Sequence, residues 1–313
     1  TLSVNYDGDN LAIVIGKAAY DNKNVGADKA VSFTGFELSG SAAGNYKLIT
    51  QPADTTADIT AKEITINGAT VEGSKVYDGT SEAKITNAGT LSDNYDGENL
   101  TIVAGSAAYD NKNVGTGKTV AFTGFALAGD AAANYKLIAQ PTDTTADITA
   151  KEIAINGAAV EASRIYDGTT DAKITNAGTP SVNYDGENLK VAAGKAAYDN
   201  KNVGKGKTVT FTGFTLSGDA AANYKLTAQP EAVTADITVK EIKIVDTAVE
   251  TSKIYDGSTD AKITEKGTFD GLINGDKVDI VTGKAAYDDK NVGNGKTVAF
   301  YEFALSGNDA ANY

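Results

Sequence analysis

The sequence predicts an all-β protein built from tandem domains of about 89 residues, each an antiparallel β-sandwich or a β-grasp-like sheet. Three observations support this prediction. A sequence pattern recurs at a constant interval, short apolar stretches alternate with turns containing Gly and Asp, and no window of eleven or more residues carries a helical apolar stripe. We expect the domains to be stacked end to end as an elongated rod.

The repeat is defined by Lys-Glu-Ile segments that begin at Lys62, Lys151 and Lys240, at intervals of 89 residues. The two full periods differ at 22 of 89 positions, so a residue that both share can reflect recent duplication rather than need. We predict a partial repeat at 1–61, complete repeats at 62–150 and 151–239, and a partial repeat at 240–313 that lacks its final strands. We therefore expect the sequence to be part of a longer array.

Within one repeat, the predicted strands follow one another at the short spacing of a small all-β domain. Asp-Gly pairs make turns between them, because Gly adopts positive φ without steric cost. We interpret Thr123-Gly124 as a bulge in the longest strand and residues 130–133 as about one helical turn. In residues 62–150 the apolar residues assigned to strands are Ile64, Ile66, Val76, Tyr77, Ile85, Leu100, Ile102, Val103, Tyr109, Val120, Phe122, Phe125, Leu127, Tyr135, Leu137 and Ile148.

The boundary between repeats carries no flexible linker. Residues 147–155 keep a two-residue alternation of apolar and polar side chains through the boundary, without Gly, Pro or Ser. Independent domains are usually joined by segments rich in those residues. We therefore expect the last strand of one repeat to run into the first strand of the next, which would make the connection short and stiff.

Composition excludes several classes of function. The chain has 313 residues, a formal net charge of −13, and no Cys, His, Met or Trp. Ser-His-Asp and Cys-His catalysis, thiol redox chemistry and ordinary zinc, haem or iron–sulfur sites are therefore absent, and we predict no catalytic residue and no enzyme. The acidic charge opposes binding to nucleic acid. No apolar run approaches the ~18–20 residues that cross a membrane, so we expect no membrane insertion of this segment.

A Tyr-Asp-Gly triplet recurs twice per repeat. The triplets begin at Tyr6, Tyr77, Tyr95, Tyr166, Tyr184 and Tyr255. In the last repeat, the second triplet is replaced by Ile273-Asn274-Gly275, which removes Tyr but keeps a turn dipeptide. We therefore interpret each triplet as a turn next to a core Tyr, rather than as a site that binds sugar or peptide.

Three other motifs are weak candidates for chemistry. Residues 115–119 resemble a phosphate-binding loop, but Lys112 stands where that loop needs Gly, and a strand follows instead of a helix. A spontaneous amide crosslink could join Lys136 to Asn134 or involve Lys62 with Glu63. Side chains that could supply oxygen ligands to Ca²⁺ occur at Asp7, Asp9 and Asn10, at Asp54 and Asp58, and at Asp270, Asp276 and Asp279. No calcium-loop spacing is present, and the metal content stays open.

The ordered set of motifs resembles the YDG repeat domain of large bacterial surface proteins. It is also similar to the MBG-type repeats of filamentous-haemagglutinin-like adhesins. The resemblance rests on the Lys-Glu-Ile strand and on residues 75–80, 112–120, 127–130 and 134–137, and extends over essentially the whole chain. It implies an exported all-β array in a long adhesin or fibre, at the cell surface or secreted. It supplies no catalytic or ligand residue.

Three functions are compatible with these features. The first is a structural stalk that projects or spaces a functional tip of an extracellular adhesin. The second is a segment or subunit of an extracellular filament, completed by strand addition between chains. The third is repeated low-affinity adhesion to glycans or to copies of itself. The expected partners are neighbouring repeats, other copies, and host or cell-surface glycans or proteins.

Overall fold

The computed structural model describes residues 1–6, 8–95, 97–184 and 186–313. Asp7, Asp96 and Asp185, which belong to the second triplet of three repeats and include one calcium candidate, lie outside the described residues. The chain divides into two compact units, unit 1 (Thr1–Thr149) and unit 2 (Ala150–Tyr313). Within the described ranges, no helix has both the length and the apolar character needed to cross a bilayer.

Short strands make up both units. Unit 1 contains β1 (Ala12–Val14), β2 (Lys17–Tyr20), β3 (Gly26–Thr34), β4 (Glu37–Ser39), β5 (Thr55–Ile59), β6 (Lys62–Ile64), β7 (Ile66–Asn67), β8 (Thr70–Val71), β9 (Ser74–Val76), β10 (Glu82–Ala83), β11 (Ile85–Asn87), β12 (Thr90–Leu91), β13 (Thr101–Val103), β14 (Ser106–Tyr109), β15 (Gly115–Thr123), β16 (Ala126–Ala128), β17 (Tyr135–Leu137) and β18 (Thr144–Thr149).

Unit 2 contains β19 (Lys151–Ile153), β20 (Ile155–Asn156), β21 (Ala159–Val160), β22 (Ser163–Ile165), β23 (Asp171–Ala172), β24 (Ile174–Asn176), β25 (Thr179–Pro180), β26 (Lys190–Ala192), β27 (Lys195–Tyr198), β28 (Gly204–Thr212), β29 (Thr215–Ser217), β30 (Tyr224–Leu226), β31 (Val233–Thr238), β32 (Lys243–Val249), β33 (Asp260–Ala261), β34 (Ile263–Asp270), β35 (Asp279–Val281), β36 (Lys284–Tyr287), β37 (Val298–Tyr301) and β38 (Ala304–Ser306). Single 3₁₀ turns lie at Ala43–Asn45, Ala132–Asn134, Ala221–Asn223 and Ala310–Asn312. The one at Ala132–Asn134 lies where the sequence predicts a helical turn.

Each complete repeat contains one five-stranded sheet. The strand order is β10-β14-β15-β18-β9 in unit 1 and, equivalently, β23-β27-β28-β31-β22 in unit 2. Its neighbours are antiparallel, except that β18 and β31 run parallel to β9 and β22. The other strands of each complete repeat form two-stranded pairs, of which β6 with β17 and β19 with β30 are parallel. The partial repeats contain the three-stranded sheets β2-β3-β5 and β33-β36-β37. The all-β prediction is confirmed, and each complete repeat adds two parallel pairings to the antiparallel ones.

The core of each complete repeat lies on one face of this sheet. In residues 62–149, Tyr77, Val120 and Ile148 are almost completely buried. In unit 2 the equivalent cluster consists of Ile155, Tyr166, Ala196, Tyr198, Val209, Phe211, Phe214, Ala235 and Ile237. In the second half of β15 and β28, side chains at every second position are buried in the core, as the period of a strand requires; these are Val120 and Phe122, and Val209 and Phe211.

The bulge expected at Thr123-Gly124 is instead the end of a strand. β15 ends at Thr123, and β16 pairs with β13 outside the five-stranded sheet. Gly124 has φ of 72°, which turns the chain from one sheet to the next. The alternation of apolar and polar residues breaks at Gly124 because the residues before it and after it belong to different sheets. Glu302 keeps this left-handed conformation in the last repeat, with φ of 61°, although a side chain makes it costly by about 1–2 kcal/mol.

The strands at a repeat boundary do not form one continuous strand. In unit 1, β5 ends at Ile59 and pairs with β3, whereas β6 begins at Lys62 and pairs with β17. In unit 2, β31 ends at Thr238, and β32 begins at Lys243 and pairs with β34. Alternation continues through the boundary in sequence, but each strand takes its hydrogen bonds from its own repeat. The connection is short, as predicted, without shared strand pairing.

Candidate repeat–repeat interface

Each unit contains one boundary between repeats, and the loop after β2 or β27 reaches across it. The loop in unit 1 is shaped by its own side chains. Asp21 Oδ1 accepts a hydrogen bond from the Asn22 N–H at 2.9 Å, and Asn22 Oδ1 accepts from the Asn24 N–H at 3.0 Å and from Lys29 Nζ at 2.7 Å. Asn and Asp favour such local turns because their short side chains bond to nearby backbone amides. The loop thereby presents Lys23 and Val25 to the next repeat.

One asparagine per boundary receives this loop. In unit 1, Asn134 Oδ1 accepts a hydrogen bond from the Val25 N–H at 2.9 Å, and Asn134 Nδ2 donates to Asn24 Oδ1 at 3.2 Å. The 3₁₀ turn Ala132–Asn134 places this side chain. The amide therefore uses both its acceptor and its donor across the boundary.

The same arrangement recurs in unit 2. Asn312 Oδ1 accepts from the Val203 N–H at 2.9 Å, and Asn312 Nδ2 donates to Asn202 Oδ1 at 3.4 Å. The Asn312 carbonyl accepts from the Lys240 N–H at 2.9 Å. Asn312 is buried, and burial of an amide side chain destabilises a fold unless its polar atoms are hydrogen-bonded. Asn134 and Asn312 are called the interface asparagines below.

A carboxylate completes each interface. In unit 1, Glu98 accepts hydrogen bonds from Lys23 Nζ at 2.7 Å and from the Tyr135 hydroxyl at 2.6 Å. Its side chain is 9% exposed. The lysine belongs to the preceding repeat and the tyrosine to the same repeat as Glu98. The carboxylate therefore joins the two repeats by a charged contact that water only partly reaches.

In unit 2 the carboxylate is Asp276, whose side chain is 3% exposed. It accepts hydrogen bonds from Lys201 Nζ at 2.7 Å, the Tyr313 hydroxyl at 2.6 Å and the Tyr166 hydroxyl at 2.7 Å. Lys201 also lies 3.4 Å from Asp309 and 5.8 Å from the centre of the Tyr166 ring. Two donors come from the preceding repeat and one from the same repeat as Asp276.

These contacts set the ionisation of both carboxylates. The hydrogen bonds from Lys23 and Tyr135 hold the pKa of Glu98 below its usual value, against the opposing effect of burial. Burial acts to raise the pKa of Asp276, but the hydrogen bonds from Lys201, Tyr313 and Tyr166 outweigh it and the pKa lies below the usual value. Burial, together with the bond to Asp276, raises the pKa of Tyr313 to about 12. At neutral pH both carboxylates are therefore ionised.

Apolar packing accompanies the polar contacts in unit 2. Ile273 and Tyr313 pack against the core of the 151–239 repeat. The Tyr166 and Tyr313 rings meet edge to face, with centroids 5.5 Å apart. A Cβ atom at Gly168 would lie 2.8 Å from Ile273 Cγ2. The first Tyr-Asp-Gly triplet of this repeat therefore supplies a hydrogen-bond donor and the space that admits Ile273.

The structure separates the two kinds of triplet. The first triplet of a repeat is called the early triplet below. In the two complete repeats it matches the prediction of a turn next to a core Tyr, because Tyr77 and Tyr166 are buried and Asp78 Oδ1 accepts from the Thr80 N–H at 2.9 Å. In the last repeat the prediction of a core Tyr is wrong, since Tyr255 is 58% exposed. The prediction of a core Tyr is wrong for the later triplets in unit 1, since Tyr95 is 58% exposed. Its ring lies beside the ring of Tyr135, with 6.5 Å between the ring centroids, instead of entering the core.

The weaker candidates are not brought together. Lys136 is exposed and bonds Glu63 at 3.3 Å, while the Asn134 amide is engaged in the interface, so the pair lacks the buried lysine that an amide crosslink needs. Lys62 pairs with Asp93 at 2.9 Å. Within the described ranges, no three acidic side chains are grouped so as to hold a metal ion.

Three of the calcium candidates, Asp9, Asp58 and Asp276, accept hydrogen bonds from other groups. Asp9 accepts from the Tyr46 hydroxyl at 2.5 Å, and Asp58 accepts from the Asp28 N–H at 2.9 Å. Asp276 is buried beside Lys201, whereas Asp279 is largely exposed. In residues 115–119, the Gly117 N–H donates to Asp147 at 2.8 Å, which occupies the amide that a phosphate would need.

Sequence reasoning missed the interface residues, although a signal for them was present. Lys23 and Glu98 are 75 residues apart, and so are Lys201 and Asp276. The interface asparagines each lie 109 residues after the valine that they bind. The same two separations recur in both units, as expected when a residue of one repeat contacts a residue of the next repeat. Because the motifs were interpreted within single repeats, these contacts between repeats were not predicted.

Comparison with known proteins identifies the repeats. A family model described as YDG domain matches residues 1–57, 60–146, 149–232 and 238–313, which together make up most of the chain. No curated protein and no solved structure matches the chain.

Proposed function

This chain belongs to the YDG domain family, and we propose that it is a stalk or spacer of an extracellular bacterial adhesin. In this role, tandem repeats hold a functional tip at a distance from the cell surface, and the number of repeats sets that distance. The role is mechanical and requires no catalytic residue. The motifs that resemble the repeats of filamentous-haemagglutinin-like adhesins support the proposal that it is part of a protein of that kind.

The observation that carries this proposal is the recurrence of one interface in both units. In each unit an interface asparagine bonds the backbone of the preceding repeat, and a carboxylate bonds a lysine of that repeat. Two repeats joined only by a pliable linker have no need for such contacts. The recurrence supports a device that fixes the angle between successive repeats.

The physical basis is the number of contacts that must break when two repeats bend. Bending in unit 2 would pull Val203 from Asn312 and Lys201 from Asp276, and would separate the Tyr166 and Tyr313 rings. Hydrogen bonds to charged groups contribute about 1.5–3 kcal/mol each. Several of them at one boundary resist bending more than the short backbone connection alone.

Small-angle X-ray scattering of the chain tests this proposal. A spacer predicts an extended, rod-like scattering profile that changes little with salt. The matched variant carries Asn134→Ala and Asn312→Ala, which leave the tyrosine core of each repeat in place. We expect it to keep its β-sheet circular dichroism while its scattering becomes that of a flexible chain of repeats. A compact profile of the unsubstituted chain, or identical profiles for both proteins, would contradict the proposal.

A further inference from the structure

The last strand of each complete repeat pairs with a strand from the first part of the same repeat. In unit 1, β18 runs parallel to β9, with Asp147 opposite Ser74 and Thr149 opposite Val76. In unit 2, β31 runs parallel to β22 in the equivalent register. β18 and β31 are called the final strands below, and β9 and β22 are called their parallel partners. Each pair joins the two ends of its repeat through backbone hydrogen bonds.

A parallel pair responds to tension along the chain differently from a hairpin. The chain enters β9 at Ser74 and leaves β18 at Thr149, and these residues lie at opposite ends of the pair. Tension therefore slides one strand along the other and loads all their hydrogen bonds together. In the hairpin of β14 and β15, the outer ends Ser106 and Thr123 lie opposite each other, so tension opens the hydrogen bonds one at a time.

Hydrogen bonds extend the parallel pair beyond its paired residues. In unit 1, the Tyr77 N–H donates to the Thr149 carbonyl at 2.8 Å, and the Asp147 N–H donates to the Gly73 carbonyl at 3.0 Å. The Thr149 hydroxyl donates to the Lys75 carbonyl at 3.2 Å. The same three bonds are made in unit 2 by Tyr166, Asp236 and Thr238. Sliding of the final strand therefore requires all of these bonds to break in one step.

The final strand is also held on its other side. In unit 2, β31 pairs antiparallel with β28, and the Asp236 side chain accepts a hydrogen bond from the Gly206 N–H at 2.7 Å. The Tyr198 hydroxyl donates to the Asp236 carbonyl at 3.3 Å. In unit 1, Asp147 accepts the equivalent two bonds. A final strand that slides thus loses its bonds to two neighbouring strands at once.

Core packing opposes sliding as well. Ala235 and Ile237 of β31 are buried, as are Ala146 and Ile148 of β18. A shift by one residue would expose the isoleucine and bury the intervening aspartate, so the register is strongly specified. Both isoleucines are 1% exposed, which keeps water from the bonds beside them. Resistance to sliding therefore comes from packing and from hydrogen bonds together.

We propose that the parallel pair of each complete repeat is a mechanical clamp, which keeps the repeat folded while the chain is under tension. The load enters through the parallel partner and leaves through the final strand. The repeat stays intact until the bonds and the packed isoleucine of the pair give way together. This function goes beyond spacing, because a spacer resists bending whereas a clamp resists extension. It belongs to a single repeat and does not depend on the interface asparagines.

Single-molecule force spectroscopy tests the clamp by changing the direction of pulling. The full chain contains no Cys, so two introduced cysteines, kept reduced until handles are attached, define the pulling points. Ser74→Cys with Ala150→Cys pulls the pair from opposite ends. Val76→Cys with Ala150→Cys pulls it from one end and is the matched control, since Ser74 and Val76 are both exposed.

The first geometry should require the higher force. Several hydrogen bonds share the load there, whereas they break in succession in the second geometry, so we expect at least about a twofold higher unfolding force at the same loading rate. Circular dichroism checks that both variants keep the β-sheet signal. Equal forces, or a higher force when the pair is pulled from one end, would overturn the proposal.

One matched pair of substitutions on β18 tests the load carried by a side chain. Thr149→Val keeps the shape but removes the hydroxyl that donates to the Lys75 carbonyl. Thr145→Val, at another exposed position of the same strand, is the control. Pulled between residues 74 and 150 at constant force, Thr149→Val should unfold about two- to tenfold faster, as expected for one lost hydrogen bond. Equal rates for the two variants would contradict a load on Thr149.

Pulling the chain from its two ends tests whether the clamp acts in both complete repeats. We expect two steps at high force, each releasing close to the extended length of residues 62–149, about 300 Å. The variant with Asn134→Ala and Asn312→Ala should show the same two steps, because neither asparagine lies in a parallel pair. Loss of these steps in that variant, or gradual extension of the unsubstituted chain, would refute the clamp. A flexible scattering profile with both steps retained would support it.

Discussion

The interfaces of the two units use the same loop and the same kind of interface asparagine, but their carboxylates differ in surroundings. Asp276 in unit 2 accepts hydrogen bonds from three side chains, whereas Glu98 in unit 1 accepts them from two, Lys23 and Tyr135. Beside Glu98 lies a cavity of about 580 Å³. In unit 2, Tyr166 contributes the additional hydroxyl and packs on Tyr313.

This difference arises because the partial repeat at 1–61 contains no counterpart of Tyr166. The interface can accordingly be divided into a part that both units contain and a part that only unit 2 contains. The constant part is the loop, the interface asparagine and the lysine–carboxylate pair. The added part is the tyrosine of the early triplet, which comes from the opening strands of the preceding repeat. We expect unit 2 to owe more of its stability to the boundary than unit 1 does.

Removal of Tyr166 should have the largest effect. Tyr166 is 1% exposed, so Tyr166→Ala leaves a cavity and removes one donor to Asp276. We expect a loss of about 3–5 kcal/mol in the free energy of unfolding of unit 2. Urea denaturation followed by circular dichroism measures it. Tyr95→Ala, at an exposed tyrosine, is the control and should change stability by less than ~0.5 kcal/mol. Equal losses would remove the distinction between the two tyrosines.

Neutralising the carboxylates should have the next largest effect and should differ between units. Asp276→Asn retains shape but removes the charge that accepts from Lys201, so we expect a loss of about 2–3 kcal/mol. Glu98→Gln should cost less, because Glu98 is more exposed and accepts fewer hydrogen bonds. Urea denaturation of both variants compares them. A greater loss for Glu98→Gln would reverse the comparison.

Both interfaces should contribute less to stability at acidic pH. The folded pKa values of Glu98 and Asp276 lie below their usual values, so their contribution is complete above the unfolded pKa, about 4.3 for Glu and 3.9 for Asp. It is lost as pH falls through the folded pKa. Urea midpoints should therefore be steady from pH 7 to about 5 and fall below about 4. In Asp276→Asn the fall should be smaller. An unchanged fall would exclude Asp276 as a contributor.

The smallest predicted effect concerns a difference between the units outside the interface. Lys75 Nζ bonds Asp78 Oδ1 and the carbonyls of Thr80 and Glu82, whereas Arg164 at the equivalent position leaves its buried Nε without a partner. We expect Arg164→Lys to stabilise unit 2 by about 1 kcal/mol.

Thermal unfolding measures this change. The reverse substitution in unit 1, Lys75→Arg, is the matched control and should destabilise by a similar amount. A loss of stability in Arg164→Lys would show that Arg packing over the Tyr198 ring, at 5.1 Å, outweighs the unsatisfied Nε.

Much of the fold could be predicted from the sequence, because strand periodicity and turn residues act locally. The period, the all-β class and the turn at Asp78 all depend on neighbouring residues. The passage of the chain from one sheet to the next at Gly124 could not be predicted in the same way. A positive φ within an apolar run fits a bulge and a strand end equally well. Parallel pairing of β18 with β9 joins distant segments, and no local signal specifies it.

The interface was less predictable than the fold for a related reason. Tyr166 has the same neighbours in sequence as a tyrosine that only fills a core, and its hydroxyl partner Asp276 lies 110 residues away. Asn134 likewise follows an alanine turn that gives no sign of Val25. Near-identity of the repeats hides such roles, because it preserves every position regardless of its task.

The separation of interface residues by fixed intervals has a genetic consequence. Deleting residues 62–150 in frame would join residue 61 to Lys151 and bring Glu187 and Asn223 to the positions that Glu98 and Asn134 hold relative to Lys23 and Val25. Recombination between misaligned copies can therefore shorten or lengthen such a gene in steps of one whole period, without any new junction having to evolve. Changes of other lengths would place unmatched residues at the boundary and be eliminated.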